Sequence, residues 1–228
     1  MPKGYEASIA VCIYRYLECR ACWYLLPLVA GVIIAAALAS QALAIDLDCR
    51  SVTASQGRLQ KDQPMHFCMK SQIYVAAIGT IGQETPLRLM AFLDAARHAG
   101  YDPQSVTFHS DGGNLRAAIQ MGKTIRAIGL DTHVGKDSIC ASACMEAFIG
   151  GRSRKVTHNG RIGQHQYSSQ YGIDTIENVQ NKIAYLGEYY KSMQVSPLAL
   201  TQSLTKTREE MYWYSQKEMS EWGIVTRR

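Results

Sequence analysis

From Ala21 to Ile45 the chain has no charged side chain. It also has no glycine-rich phosphate loop of the Walker type, which excludes a P-loop nucleotide site within this chain. No basic run is interleaved with aromatic residues, so the net charge of +5 gives no support to nucleic-acid binding. Neither internal repeats nor low-complexity segments occur. His66, His98, His109, His133 and His158 stand at no ligand spacing and read as surface or structural, His109 being the exception to watch because it directly precedes the glycine turn; Cys140, Cys144 and His165 match no zinc signature. No metal and no cofactor are expected.

The charge-free run is long enough to cross a bilayer. Lys3, Arg15 and Arg20 precede it, and Asp46 and Asp48 follow it. That asymmetry keeps the N-terminus in the cytoplasm and exports the rest, to the periplasm or an equivalent extracytoplasmic space. Ala42-Leu43-Ala44 has the small-residue character of a signal-peptidase site, so residues 1–45 read as either a cleaved signal or a retained membrane anchor. Of the seven cysteines, Cys49, Cys68, Cys140 and Cys144 lie in the exported part. Four cysteines in an oxidising compartment allow two disulfides in three connectivities. Neighbour pairing, Cys49–Cys68 and Cys140–Cys144, is the expectation, with buried thiols as the alternative for the second pair.

Residues 46–70 are polar and turn-rich and read as an N-terminal arm. Beyond it, residues 71–228 alternate apolar β-type runs with helical spacing, which argues for an α/β domain with parallel strands joined by crossovers. Strands are expected over 73–81, 105–109, 132–134, 155–157 and 161–167. Helices are expected over 86–98, from Gly113 onward, over 142–148 and over 174–195, with a shorter one at 198–204.

The chemistry concentrates between residues 108 and 167. A glycine turn, Ser110-Asp111-Gly112-Gly113, follows a strand. Next comes Cys140-Ala141-Ser142-Ala143-Cys144, and then Gly163-Gln164-His165-Gln166-Tyr167. Helix N-termini present unpaired N–H groups and partial positive charge, and glycine lets the backbone approach a substrate carbonyl closely. A serine hydroxyl needs a base to become a nucleophile, and a histidine on a neighbouring strand supplies one. These parts, in this order, suit acylation of a serine.

The pattern resembles the Clp protease proteolytic subunit and the ClpP/crotonase superfamily, and more closely the exported, Clp-protease-like proteins with a Cys-Ala-Ser-Ala-Cys serine. The family's Ser-Pro-Gly-Gly turn corresponds to Ser110-Asp111-Gly112-Gly113, and its Ala-Ser-Met segment to Ala141-Ser142-Ala143. Its strand-borne His-Gln corresponds to His165-Gln166, and its Glu-Tyr-Gly-Leu-Val element to Glu221-Trp222-Gly223-Ile224-Val225. The similarity spans roughly residues 71–226. It implies a spiral of strand–strand–helix units, Ser142 as nucleophile and His165 as general base. It also implies an oxyanion hole from the N–H groups of Gly112 or Gly113 and of Ala143, a peptide or protein substrate, and a homo-oligomer. Any ATPase partner is then a separate chain.

Two departures stand out. Asp111 replaces the usual proline, and Thr207 falls where the family has its third catalytic member, an aspartate. The implied activity is that of a serine peptidase-like hydrolase. The alternative is a catalytically impaired scaffold or binding protein. Crotonase-type chemistry on a thioester fits less well, because acyl-CoA substrates are cytoplasmic.

Overall fold

The computed structural model describes residues 49, 63–167, 175–207 and 209–226. The charge-free run 21–45, the Ala42-Leu43-Ala44 signal and most of the arm lie outside the described residues. Among the described residues, no helix is long and apolar enough to cross a membrane.

The described elements run β1 (His66–Met69), β2 (Tyr74–Ile78), α1 (Thr85–His98), β3 (Ser105–His109), α2 (Leu115–Ile128), β4 (Asp131–Val134) and β5 (Ile139–Ala141). They continue with α3 (Cys144–Phe148), β6 (Arg154–Val156), β7 (Arg161–Gln164), α4 (Ile176–Ser192), α5 (Pro197–Ser203), β8 (Tyr212–Trp213) and α6 (Gln216–Glu221). Strands β2, β3, β4 and β6 form a parallel sheet in that order, and β1 pairs antiparallel with β2 at its edge. A second sheet has the order β5-β7-β8, with β5 and β7 parallel and β8 antiparallel.

The repeating unit follows from this order. The chain passes through β4 in the first sheet, β5 in the second, then α3; it repeats the path through β6, β7 and α4. Earlier turns have the same shape with a single bridge in place of the second strand: Ser110 bridges Cys140, and Ile81 bridges Gly113. The described residues are therefore α/β, with a strand–strand–helix path that recurs along the chain.

Some boundaries differ from the sequence expectation. β1 lies inside the segment read as an arm. Phe67, Cys68 and Met69 are buried there, and a disulfide ties Cys68 to Cys49. Four residues are too few for alternation to reveal such a strand. The helix expected at Gly113 begins at Leu115, because the Asn114 side chain accepts from Ala117 N at 2.9 Å and caps it. The helix expected at Ser142 begins at Cys144. The strand expected to reach Tyr167 stops at Gln164, which leaves His165 just beyond its end.

Helix α2 lies against α3 by a close backbone approach. A Cβ on Gly122 would sit 2.0 Å from the Tyr189 hydroxyl and 2.5 Å from the Glu146 carbonyl oxygen, so only glycine fits. Opposite, Arg154 on β6 is 2 % exposed and has no acidic partner among the described residues. Its guanidinium donates instead to the backbone carbonyls of Ile149, Gly151, Gly223 and Ile224 at 2.9–3.3 Å. Thr226 N completes the tie by donating to the Arg154 carbonyl at 3.1 Å. The segment after α6 is thereby anchored to the edge of the first sheet.

Candidate active site

Strand β5 delivers Ser142 and strand β7 delivers His165. The two strands are parallel and in register, with Ala141 opposite Gly163. Ser142 N donates to Gly163 O at 2.8 Å, so the serine leaves its strand beside the segment carrying the histidine.

Ser142 adopts φ +52, a left-handed conformation that a side-chain-bearing residue enters only at a cost of about 1–2 kcal/mol. It makes a sharp strand-to-helix turn, and the N-cap of α3 is Ala143, with no side-chain cap bond. The serine is thus not acting as a helix cap. Among the described residues its Oγ has no hydrogen-bond partner, and the side chain is half-buried.

Gly112 is packed against this turn. A Cβ there would lie 2.6 Å from Ala141 O, 2.8 Å from Ser142 Cβ and 2.9 Å from Ala143 N. Gly113, at φ +133, is equally restricted, since a Cβ would lie 2.3 Å from Ile81 O. Both glycines are required by close approach as well as by backbone conformation. Their amides differ. Gly112 N donates to the buried Ser110 Oγ at 3.1 Å. Among the described residues, the amides of Gly113 and Ala143 have no acceptor.

His165 is half-buried, and its Nδ1 lies 2.7 Å from the Gln166 carbonyl oxygen. A carbonyl only accepts, so Nδ1 is the donor in this contact and Nε2 is not engaged by it. His165 and Ser142 make no direct hydrogen bond with each other. Thr207 is exposed, and its N–H points to the Glu210 carboxylate at 3.5 Å. The adjoining residue reaches the site: Lys206 O accepts from Gln166 N at 2.9 Å, and Leu204 O accepts from Gln166 Nε2 at 2.8 Å.

The neighbour cysteines are paired. Cys140 and Cys144 form a disulfide across the serine turn, Cα–Cα 5.2 Å, and Cys49 and Cys68 form another, Cα–Cα 5.1 Å. The first pair brackets Ser142 from the end of β5 to the start of α3.

Two further features carry chemistry: His109, which the sequence marked out by its place before the glycine turn, and Glu146, which it did not. His109, at the end of β3, accepts from Ile139 N at 3.2 Å through Nδ1, linking the strand before the glycine turn to the strand before the serine. Burial lowers its pKa below the ordinary histidine value, with Asp111 raising it and Lys70 lowering it. The second is Glu146, one turn along α3 and wholly buried. Its Oε1 accepts from the Tyr167 hydroxyl at 2.7 Å, the Tyr190 hydroxyl at 3.0 Å and Gln164 Nε2. Burial raises its pKa, against the opposing effect of those hydrogen bonds. The available signal was a lone acid inside the apolar stretch 143–149.

No family model matches the chain, and no curated protein matches it. Among solved structures, a point mutant of ClpP1 from Listeria monocytogenes superposes with a TM-score of 0.54 at 19% identity, over 68% of this chain and 89% of that one. ClpP1 from Listeria monocytogenes gives 0.52 at 18% identity, over 68% and 89%. A membrane-bound stomatin-specific protease gives 0.49 at 14% identity, over 67% and 75%. The chain is similar in fold to ClpP1.

Proposed function

We propose that the chain is an exported serine peptidase-like hydrolase that acylates Ser142. The observation that carries this reading is the Ser142 turn: a non-glycine residue at φ +52, placed between a strand and a helix and packed against Gly112. Nucleophilic serines are exposed by such strained strand-to-helix turns.

In the proposed step, His165 Nε2 takes the hydroxyl proton as Ser142 Oγ attacks the acyl carbonyl. The developing oxyanion receives the Gly113 and Ala143 amides, since Gly112 N is committed to Ser110. Each such donor contributes about 10²–10³ in rate. The leaving group departs with the proton from Nε2. Water, deprotonated by the same nitrogen, then attacks the acyl-serine, and Nε2 returns that proton to Ser142 Oγ as the bond to the acyl group breaks and the acid is released. The Gln166 carbonyl holds the histidine tautomer, a task that a carboxylate at position 207 performs in the family the sequence resembles.

Export is supported by the charge-free run 21–45 and by two disulfides, which persist in oxidising compartments. A peptide or protein substrate and a homo-oligomer are part of the same reading. Exposed Ile176 and Val179 on α4 give the assembly an apolar surface. One observation favours the second reading, a scaffold without catalysis: Thr207 offers no carboxylate to stabilise an imidazolium.

Labelling with a fluorophosphonate probe, followed by mass mapping, separates the two. An adduct on Ser142 that disappears in His165→Ala supports the hydrolase. Absence of any adduct on folded protein supports the scaffold.

A further inference from the structure

The segment that carries His165 is held at three points, and one buried side chain makes two of them. Gln164, immediately before the histidine, donates through Nε2 to Glu146 Oε1. Tyr167, two residues after it, donates its hydroxyl to the same oxygen at 2.7 Å. Gln164 Nε2 also lies 2.9 Å from the Tyr167 hydroxyl, which closes a small ring around residues 165 and 166. The third point is Gln166, fixed to Leu204 and Lys206.

Glu146 itself stands on α3, four residues after Ser142 and two after the disulfide-bonded Cys144. Tyr189 donates its hydroxyl to the Glu146 carbonyl at 2.6 Å, so the backbone here is fixed too. Gln164 Oε1 shares the single Tyr190 hydroxyl hydrogen with Glu146 Oε1, each oxygen 3.0 Å away, and lies 3.3 Å from the Tyr214 hydroxyl. Helix α4 and the stretch after β8 therefore brace the same cluster.

We propose that Glu146 is a positioning residue for the base: its Oε1 clasps the two residues flanking His165-Gln166 to the helix that begins beside Ser142. This rests on the serine hydrolase reading given above. The clasp replaces, through neighbouring side chains, the direct orienting contact that Thr207 does not supply. Its placement has a cost that packing alone does not explain. Glu146 is fully buried without a cationic partner among the described residues, and its Oε2 has no hydrogen-bond partner. A leucine would fill a structural position more cheaply, because an incompletely satisfied buried acid is destabilising.

Two readouts on the full chain test this. The first is the rate of fluorophosphonate labelling at Ser142, separated into maximal rate and half-saturating concentration. The second is ¹⁵N-histidine NMR, which reports which ring nitrogen of His165 is protonated, assigned with His165→Gln. Glu146→Leu is expected to lower the maximal labelling rate about 10²-fold, the scale of an ångström misplacement, with the half-saturating concentration unchanged. The Nδ1–H signature of His165 is lost in the same variant. Glu146→Gln, which keeps an acceptor for the Tyr167 hydroxyl, recovers most of the rate.

Tyr167→Phe removes one hydroxyl from the clasp and gives a smaller loss of the same kind; it decides the matter if Glu146→Leu does not fold. A folded Glu146→Leu or Tyr167→Phe protein with wild-type labelling and a wild-type His165 spectrum overturns the proposal. If wild-type Ser142 takes no label, the hydrolase reading fails by itself, and the His165 spectrum of the variants still decides the role of Glu146.

Discussion

Replacing Ser142 with glycine tests whether the serine is held against its own conformational preference. At φ +52 the serine Cβ costs about 1–2 kcal/mol, and glycine removes that cost. Glycine also enlarges the unfolded ensemble, which takes back about 0.4–1 kcal/mol. The bond from residue 142 N to Gly163 O, 2.8 Å, is available to any residue there and cancels between variants. Both Ser142→Gly and Ser142→Ala delete the hydroxyl, so their difference isolates the backbone term. Ser142→Gly is expected to be the more stable by about 0.5–1 kcal/mol. For a domain of this size that is about 1–4 °C in Tm, measured by differential scanning calorimetry. A Ser142→Gly protein that melts at or below Ser142→Ala would show that the turn is unstrained. The case for a nucleophile placed by strain would then collapse.

Removing the disulfides should separate stability from reactivity. The chain-entropy relation gives about 2 kcal/mol for Cys140→Ala/Cys144→Ala, with a separation of 4, and about 3 kcal/mol for Cys49→Ala/Cys68→Ala, with a separation of 19. Urea denaturation measures both, and only the smaller loss is expected to slow Ser142 labelling; equal labelling in the two variants would contradict this. His109 introduces a pH dependence: burial keeps it neutral in the native state, so below its ordinary value of 6.5 the unfolded chain binds the extra proton. Stability contributed there is fully present above that pH and is lost as pH falls. His109→Asn, which keeps an acceptor for Ile139 N but cannot titrate, should flatten that slope; an unchanged slope would clear His109 of the effect. Thr207→Asp should raise the labelling rate, since Lys206 beside it already contacts Gln166. No gain would mean that residue 207 does not reach His165.

The residues that the fold gathers between β5 and β7 were legible in the sequence by type and order, and distance relations were not. The serine turn, the histidine, the glycine pair and the neighbour cysteine pairs all announced themselves through residue type and order. Their elements were displaced by two or three residues for particular reasons. Asn114 caps α2 where Gly113 was expected to begin it, and the left-handed Ser142 defers α3 to Cys144. β5 and β8 hold three and two residues, too few for a period to be seen. Glu146 read as one polar position in a short helix. Its partners are 18, 21 and 44 residues away, and no spacing rule connects them. Which of the Gly112 and Gly113 amides is left without an acceptor among the described residues likewise depends on where Ser110 Oγ points, which requires the folded chain.

The four carbonyls around Arg154 also set a timetable for biosynthesis. The guanidinium leaves the ribosome 69 and 70 residues ahead of the Gly223 and Ile224 carbonyls that complete its shell. At cellular elongation rates that interval is about 4–14 s. Until it ends, Arg154 has only the Ile149 and Gly151 carbonyls within the chain to receive its hydrogens, and water must serve the other donors. The β6 edge therefore reaches its full set of carbonyl acceptors only when the segment after α6 is in place, and truncation before Gly223 is expected to destabilise it.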